Sequence, residues 1–248
     1  MKLLISILMI FIMHSSLAIT IVGDEAYPPY SFKDNGKVTG IYTDIIEHAL
    51  KVMKNTSSLT AMPWKRGLSG LETKSIDALF PPYLRPKQRP FMEYSTEILN
   101  ETLVIFCNSK VSGRLQSFPE DYNGIRLGKN AGFAPGVAVD DAVKNKIIKL
   151  HEAKGMTANL KKLINNRINC YVNDRLSILY ELKKMAERGE YDGKSVIETH
   201  VLGIEKGYLA IHKEANNETK GFIKQFNLVI EEMKSSGKID EVIAKYTQ

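Results

Sequence analysis

The sequence predicts an α/β protein with mostly parallel sheets flanked by helices, and three observations carry this prediction. Residues 41–54 place apolar side chains at the spacing of one helix face. Short apolar runs, for example residues 19–22 and 101–107, have the length of buried strands. The two kinds of segment alternate along the chain, which is typical of layered α/β folds. In such folds, ligands bind on loops beyond the carboxyl ends of the strands.

In the first half of the chain, the predicted strands are short and the first helix gives the strongest pattern. Asp34, Asn35 and Gly36 form a turn signal ahead of that helix. The predicted elements, in order, are a strand at 19–22, a helix at 41–54, a strand at 59–62, a helix at 65–74, and strands at 76–80 and 101–107.

The second half repeats the alternation and ends in two helices. Asp174 follows an apolar run and is predicted to begin a helix, and Thr157 is predicted to cap the helix before it. The predicted elements are a strand at 124–128, a helix at 137–145, a strand at 147–150, a helix at 157–166, a strand at 168–172, a helix at 174–186, a strand pair or one glycine-broken strand at 201–212, and helices at 219–234 and 239–246.

The first eighteen residues predict an export signal. Lys2 precedes an apolar run from Leu3 to Met13, and a small-residue cleavage site ends at Ala18. The apolar run is too short to span a bilayer, which takes about 20 apolar residues. No cysteine stands at the cleavage site, so a lipid anchor is not expected. The sequence therefore predicts a soluble periplasmic protein whose mature chain starts at Ile19.

Composition and motifs argue against several function classes. The formal net charge is +6, but the lysines are scattered over predicted helix faces and form no basic stripe with aromatic residues, so no nucleic-acid partner is expected. The chain contains no GxSxG or HExxH motif, and no histidine of the mature chain lies at metal-ligand spacing from another histidine or a cysteine. We therefore expect neither a metal nor a cofactor.

The two cysteines, Cys107 and Cys170, each lie inside an apolar run. An exported protein permits a disulfide, whereas a buried free thiol is the usual state of a cysteine in such a run. Neither cysteine has a Cys-x-x-Cys partner or the cationic neighbours that activate a thiolate. We expect two buried free thiols, with a disulfide as the alternative.

The segment DEAYPPYSF, residues 24–32, directly follows the first strand. Its aromatic residues Tyr27 and Tyr30 either cover a core or face a ligand, since an aromatic ring contributes about 0.5–2 kcal/mol against a cation. Asp24 lies at the strand end in either case. The two prolines restrict the backbone and lower the cost of ordering this segment. The composition favours the wall of a ligand cleft over a plain connecting loop.

Three further features allow either a structural or a ligand-binding role. Arginines cluster in residues 80–95, where a guanidinium group is either solvated or binds a carboxylate through two parallel hydrogen bonds. Asp174 is either a helix cap, worth about 1 kcal/mol, or a ligand for an ammonium group. Residues 132–136, GFAPG, form either a turn or an anion site at a helix start, and they lack phosphate-loop spacing.

Seven segments, taken in order, resemble the family 3 extracellular solute-binding proteins, the periplasmic receptors of polar amino-acid ABC importers. The segments are ITIVGDEAYPPYSF, GIYTDIIEHAL, PWKRGLSGLETKSIDALF, RPKQRPFMEYSTEIL, YNGIRLGKNAG, NRINCYVND, and GYLAIHK with IEEMKSSGKIDEVIAKY. The resemblance covers essentially all of the chain after residue 18. It implies a two-lobed flytrap fold of the type II periplasmic-binding-protein class.

The resemblance also implies the division of the chain into lobes. Lobe 1 would hold residues 19–107 and 206–248, and lobe 2 would hold residues 108–205. Two hinge strands, near residues 103–107 and 202–212, would join the lobes and let them close on a ligand.

The same resemblance implies the ligand-binding residues. Arg89 falls on the family's carboxylate-binding arginine, and Asp174 falls on its ammonium-binding aspartate. The other positions that the resemblance places at the cleft are Asp24, Tyr27, Trp64, Arg66, Phe80 and Phe133.

This sequence departs from the family at its hydroxyl donors. The small hydroxyl residues before the arginine are here Pro81, Pro82 and Leu84, and the Gly-Thr pair of lobe 2 is here Gly132-Phe133. These changes remove hydrogen-bond donors and add apolar surface, which indicates a ligand that is bulkier or less polar than an ordinary α-amino acid.

The expected function is that of a monomeric receptor that binds a small zwitterionic or amino-acid-like solute and docks on an ABC permease, without catalysis. The first alternative is a dehydratase on the same scaffold that acts on cyclic carboxylates, with Glu25 as a candidate acid or base. Turnover of prephenate-like acids would decide for it. The second alternative is a sensory module that docks on a receptor kinase or cyclase, and neighbouring genes would distinguish it from an importer.

Overall fold

The computed structural model describes residues 18–247, so all but the last residue of the predicted export signal lies outside the described chain. The first half contains β1 (Thr20–Asp24), β2 (Ala26–Tyr27), β3 (Ser31–Asp34), β4 (Lys37–Thr39), α1 (Ile41–Val52), β5 (Ser58–Met62), α2 (Trp64–Glu72), β6 (Ala78–Phe80), β7 (Met92–Tyr94), β8 (Leu99–Asn108) and α3 (Ser109–Ser112).

The second half begins with a short 3-10 turn at Glu120–Tyr122 and then alternates strands and helices. Its elements are β9 (Arg126–Asn130), α4 (Val137–Lys144), β10 (Lys149–Ala153), α5 (Met156–Ile164), β11 (Cys170–Asp174), α6 (Arg175–Glu187), β12 (Val196–Gly207), β13 (Ala210–His212), α7 (Asn217–Ser235) and α8 (Lys238–Thr247). Within the described range, no helix combines the length and the hydropathy that crossing a bilayer requires.

Two five-stranded sheets organise these elements, in the orders β5-β1-β6-β13-β7 and β10-β9-β11-β8-β12. In the first sheet β1 runs parallel to β5 and β6, and in the second sheet β9 runs parallel to β10 and β11. The strands β7, β8, β12 and β13 are antiparallel to their neighbours. The predicted α/β class with sheets flanked by helices is therefore confirmed, but each sheet has two parallel and two antiparallel pairings, whereas the sequence predicted mostly parallel sheets.

The apolar cores follow the two sheets. Two clusters of buried side chains draw on residues 19–99 and 209–242, and two others draw on residues 103–196. We call the part built on the first sheet lobe 1 and the part built on the second sheet lobe 2. The predicted division of the chain, with boundaries at residues 107 and 206, stays a prediction.

Two long strands connect the lobes. Strands β8 and β12 pair antiparallel from Leu99 opposite Gly207 to Asn108 opposite Val196, with irregular register near His200 and Gly203. Beyond Gly207 the chain enters lobe 1 as β13, and Ile98 N donates to the carbonyl of Gly207 at 2.8 Å. A paired two-strand connection permits a hinge motion between lobes.

The segment after β1 folds into a small sheet of its own, in the order β2-β3-β4. Asn35 and Gly36, with φ of 48° and 81°, form the predicted turn between β3 and β4. The sequence predicted the turn but not these strands, because strands of two to four residues around a Pro-Pro pair show no alternating pattern.

The two predicted helix caps have different outcomes. The carboxylate of Asp174 accepts a hydrogen bond from Ser177 N at 2.9 Å, so it caps α6 as predicted. Thr157 is not a cap, because α5 begins at Met156 with Gly155 at the capping position. The Thr157 hydroxyl instead donates to Glu181 at 2.9 Å.

The expectation of two free thiols is wrong, because Cys107 and Cys170 form a disulfide. The two residues lie directly opposite each other on the antiparallel strands β8 and β11, with their Cα atoms 4.0 Å apart. Each apolar run by itself indicated only burial. The pairing depends on the register between strands that lie 63 residues apart in the sequence.

Candidate ligand-binding site

A pocket lies between the two lobes, where β1 and β6 end on one side and β9 and β11 end on the other. Its empty volume is about 410 Å³, including the part open to solvent. Lobe 1 contributes Asp24, Tyr27, Trp64, Pro81, Tyr83 and Arg89, and lobe 2 contributes Asn130, Phe133, Ala134 and Asn173. The pocket therefore occupies the position expected of a ligand site in α/β sheets.

Arg89 brings a buried cation to this pocket. The residue is 6% exposed, and its Nη2 donates to the carbonyl of Gly132 across the cleft at 3.2 Å. Its guanidinium carbon lies 5.5 Å from the centre of the Trp64 ring, within the range of a cation–π contact. No carboxylate of the described residues forms an ion pair with it. Burial lowers the Arg89 pKa to about 10, so the group remains charged at neutral pH.

Arg85, the other arginine near this pocket, is fully engaged elsewhere. Its guanidinium group binds Glu205 through two hydrogen bonds of 2.9 and 2.7 Å, and its Nε donates to the carbonyl of Ala134 at 3.2 Å. Arg85 therefore stabilises the structure around the cleft, and Arg89 alone of these two is left for a ligand.

Asp24 places an acid in the same pocket. It ends β1, and its Oδ1 accepts a hydrogen bond from Ala26 N at 3.0 Å. The Asp24 pKa is raised to about 7, mainly by burial; the Ala26 hydrogen bond opposes this shift and the neighbouring charge of Glu25 adds to it. Asp24 therefore changes charge near neutral pH, and a cationic ligand group beside it would favour the ionised form.

A second acid, Glu101, lies behind the pocket wall. Its Oε2 accepts hydrogen bonds from the hydroxyls of Tyr27 and, at 2.6 Å, of Tyr83, and its Oε1 accepts one from Tyr42 at 2.5 Å. Burial, followed by the charge of Asp174, raises the Glu101 pKa to about 8, and the three tyrosine hydrogen bonds oppose this shift. Glu101 was not predicted from the sequence, although a single acid at the start of the apolar run TLVIFC was an available signal.

Asp174 is not among the residues that line the pocket. It is 1% exposed at the start of α6, where it caps the helix and interacts with the Tyr30 hydroxyl. Burial raises its pKa to about 6. Its neighbour Asn173 lines the pocket instead, so a direct contact between Asp174 and a ligand stays a prediction.

The other predicted site residues divide into two groups. Trp64 and Phe133 line the pocket, and the Phe133 ring meets the Tyr83 ring edge-on at 5.7 Å across the cleft. Phe80 does not line it, because its side chain points into the lobe 1 core. Arg66 is exposed on the solvent side of α2, whose core side carries Gly67 and Leu71.

Several lining residues, like Glu101, were not predicted from the sequence. Asn130 ends β9 and Asn173 is the next-to-last residue of β11, and a polar amide near a strand end in an α/β fold was a signal that could have found them. Pro81, Tyr83 and Ala134 also line the pocket, and they had no such signal.

The two lobes touch on more than one side of the pocket. Gln88 donates to Asp140 at 3.1 Å, and the rings of Phe32 and Tyr180 lie 6.2 Å apart. Together with the bond from Arg89 to Gly132, these contacts describe a closed arrangement. Residues 18–247 contain no group of three or more His, Cys, Asp or Glu side chains placed to hold a metal ion.

Three comparisons relate this chain to known proteins. It is 21% identical over 241 residues to the L-cystine-binding protein TcyA of Bacillus subtilis (strain 168), covering 92% of this chain and 80% of that protein. A solved mutant of ArgBP from T. maritima has a TM-score of 0.74 and 21% identity, covering 92% of this chain and 94% of that one. A histidine kinase sensor domain with similarity to periplasmic binding proteins has a TM-score of 0.78 and 16% identity, covering 93% and 96%.

At these identities the two solved structures show only that the fold is shared, and they do not indicate which ligand this chain binds. The family description is more specific, because it matches nearly the whole chain after the predicted export signal. It confirms the resemblance on which the two-lobed fold was predicted. Residues 19–248 match the bacterial extracellular solute-binding proteins, family 3, and the chain belongs to that family.

Proposed function

We propose that this protein is the periplasmic receptor of an ABC importer and that it binds a small amino-acid-like or zwitterionic solute between its lobes. The observation that carries the proposal is the unpaired guanidinium group of Arg89, which is buried in a pocket that also holds Asp24. Membership of the family supports a binding role, and the name of the relative TcyA supports a ligand of the amino-acid class.

In this proposal the two charges hold opposite ends of the ligand. Arg89 binds an anionic group, because its remaining N–H donors have no carboxylate partner and a buried guanidinium favours two parallel hydrogen bonds. Asp24 accepts hydrogen bonds from a cationic group. The rings of Tyr27, Trp64 and Phe133 enclose the apolar part of the ligand.

Ligand binding is coupled to closure because the pocket draws residues from both lobes. A ligand that touches both walls binds the closed state more tightly than the open one. A preference of about 10⁴-fold would change a population from 1% closed to 99% closed. The closed monomer then docks on a membrane permease, after export and cleavage near Ala18.

A ligand screen tests this proposal. Purified protein is heated with each of the amino acids, with polyamines and with small carboxylic acids, and the shift in Tm is measured. The true ligand, at a hundredfold excess over its Kd, should raise the free energy of unfolding by about 2.7 kcal/mol. Uptake of that ligand should fall in cells that lack the protein. Binding without any effect on uptake would favour a sensory role instead.

A catalytic role is the second candidate, and the raised pKa of Asp24 is the observation that favours it. A carboxyl group with a pKa of about 7 inside a pocket is suited to act as a general acid. Glu25 is less suited, because it pairs with Lys33 at 3.4 Å and does not line the central pocket. Incubation with prephenate-like cyclic acids, followed by product analysis, distinguishes turnover from binding alone.

A further inference from the structure

Lobe 2 contains a buried polar network that the proposed contacts at Arg89 and Asp24 do not use. Its members are Asn130, Asn159, Tyr171 and Asn173, all of them buried. Buried side-chain networks are costly unless their groups are paired, so an extended one inside a lobe calls for an explanation. Two of its members, Asn130 and Asn173, line the ligand pocket.

The network is anchored on backbone carbonyl groups. Asn159 Nδ2 donates to the carbonyls of Lys129 and Gly155 at 3.1 and 3.0 Å. Carbonyl groups only accept hydrogen bonds, so these contacts determine which end of the Asn159 amide faces the network. The same Nδ2 lies 3.1 Å from Asn130 Oδ1. The Asn130 oxygen is therefore directed into lobe 2, away from the pocket.

The hydroxyl of Tyr171 also determines the orientation of the Asn173 amide. It donates to Asn130 Oδ1 at 2.8 Å and accepts from Asn173 Nδ2 at 2.7 Å. A hydroxyl group has one proton to donate, so once it donates to Asn130 it can only accept from Asn173. Both pocket amides are thereby held in one orientation.

At the two amides that line the pocket, this arrangement leaves one donor and one acceptor unused; the Asn159 oxygen also has no partner, but it is buried inside lobe 2. Among residues 18–247, Asn130 Nδ2 and Asn173 Oδ1 have no hydrogen-bond partner. Neither atom is fully buried. Both amides are attached to the same Tyr171 hydroxyl, so the two unused atoms lie in one small region of the pocket wall. Because both residues line the pocket and neither atom is fully buried, these are the amide atoms left for a ligand, and they have opposite hydrogen-bonding character.

We propose, as an extension of the proposed function, that Asn130 and Asn173 recognise a carboxamide group, so that the ligand is a small amino acid with a side-chain amide, such as glutamine or asparagine. This ligand is more polar than the lost hydroxyl donors indicated, because the sequence did not identify these two amides. The carbonyl oxygen of the ligand amide accepts from Asn130 Nδ2, and its N–H donates to Asn173 Oδ1. The α-carboxylate and α-ammonium groups of the ligand remain at Arg89 and Asp24.

The charges around the amide pair support this choice over an acidic side chain. A carboxylate would place an acceptor against Asn173 Oδ1, and among the described residues the pocket that both amides line contains no cation besides Arg89, which the α-carboxylate occupies. Lys129, the nearest lysine in the sequence, pairs with Glu152 and donates to the carbonyl of Phe133 at 2.9 Å. An aliphatic side chain would leave both amides unpaired on closure, which is unfavourable for buried polar groups.

Calorimetric titration with glutamine, glutamate, asparagine and aspartate tests the inference. The wild-type protein should bind one amide at least about tenfold more tightly than its acid isostere, since a site built to pair a polar group rejects an analogue that cannot pair. Tyr171→Phe removes the hydroxyl that orients both amides and lies outside the pocket lining. It should lower that ratio several-fold, to about threefold or less.

Two further variants keep the test independent of folding. Tyr122→Phe removes another buried tyrosine hydroxyl of lobe 2, one that bonds to Thr199 at 2.9 Å away from the pocket, and it should leave the ratio unchanged. Asn130→Asp preserves the acceptor that Tyr171 and Asn159 use and replaces the unused donor by an oxygen. It should weaken binding of the amide at least about tenfold.

The outcomes separate this inference from the proposed function. Equal or tighter binding of the acids, binding of other amino acids but of neither amide, or an unchanged ratio in both Tyr171→Phe and Asn130→Asp would overturn the carboxamide assignment and leave the receptor assignment intact. Failure of every amino acid to bind would overturn the proposed function itself.

Discussion

The hydroxyl of Tyr83 donates a hydrogen bond to the carboxyl group of Glu101 at 2.6 Å. Tyr83 lines the ligand pocket, whereas Glu101 belongs to β8, one of the two strands that connect the lobes. Tyr83 also forms an isolated bridge with Gly207 at the end of β12, the other connecting strand. One wall of the pocket is therefore attached directly to both connecting strands.

The raised pKa of Glu101 predicts that the protein becomes less stable as the pH rises. Its pKa is about 8 in the folded protein against an ordinary value of 4.5, so between these values the folded state holds the proton that the unfolded state has lost. The free energy of unfolding therefore falls as the pH increases across this range. Glu101→Gln removes the titrating group. Between pH 5 and pH 8, the free energy of unfolding of this variant should therefore fall by up to about 3 kcal/mol less than that of the wild type.

Urea denaturation of both proteins at pH 5, 6, 7 and 8 measures the effect. Asp24 and Asp174, with pKa values of about 7 and about 6, change stability in the same direction and are present in both proteins. The difference between the two curves therefore reports Glu101 together with its electrostatic coupling to Asp174. Parallel curves for wild type and Glu101→Gln would show that Glu101 does not titrate in this range.

A side chain at position 207 should lower the stability of the fold. A Cβ atom at this position would lie 1.6 Å from the hydroxyl of Tyr42 and 2.9 Å from Glu101 Oε1. Both atoms are held in the buried tyrosine and carboxylate cluster, so neither can move away without breaking a hydrogen bond. Gly207→Ala should lower the free energy of unfolding by about 2–3 kcal/mol, measured by urea denaturation.

Gly113 provides the matched control for this substitution. A Cβ atom at Gly113 meets no other atom within 4 Å, and its φ of −62° suits any residue. Gly113→Ala should therefore change the free energy of unfolding by no more than about 0.5 kcal/mol. Similar losses in the two variants would mean that the crowding around Gly207 has no energetic effect.

Arg89→Ala should abolish tight ligand binding while the Tm of the free protein changes little. Arg89 has one hydrogen bond to the protein and no ion pair among the described residues, so the fold gains little from its charge. Loss of a buried charge contact typically weakens binding by about 2–5 kcal/mol, which raises Kd by at least about 30-fold. Titration with the ligand found in the screen measures the change.

Arg66→Ala is the control for this experiment. Arg66 carries the same charge on the helix that begins with Trp64, but it is exposed and does not line the pocket. Its substitution should leave Kd unchanged within error. An Arg89→Ala protein with normal affinity would remove Arg89 from the site and with it the main support for the proposed function.

The disulfide should stabilise lobe 2 without affecting the pocket. It joins residues 63 positions apart, for which the loss of loop-closure entropy in the unfolded chain predicts about 4 kcal/mol. The double substitution Cys107→Ala with Cys170→Ala should lower the free energy of unfolding by about this amount. Ligand affinity should stay the same, because neither cysteine lines the pocket. Equal stability of the oxidised and reduced wild-type protein would contradict this expectation.

By itself, the sequence was sufficient to predict the fold class, most helices and strands, and several residues of the pocket. The helical spacing of residues 41–54 and the alternation of apolar runs depend on local periodicity, and α1 lies where that periodicity placed it. Asp24, Tyr27 and Arg89 were predicted because they follow strand ends or resemble a family pattern. All three line the pocket.

Tertiary structure decided which groups meet. Whether Arg85 or Arg89 stays free depends on Glu205, which lies 120 residues from Arg85 in the sequence. The disulfide depends on the register of β8 and β11, and the choice of Asn173 over Asp174 at the pocket depends on which side of β11 faces the cleft. Periodicity describes the near neighbours of a residue along the chain. The partners that determine charge, pairing and exposure at this site come from distant segments, and only the packing of the two lobes brings them together.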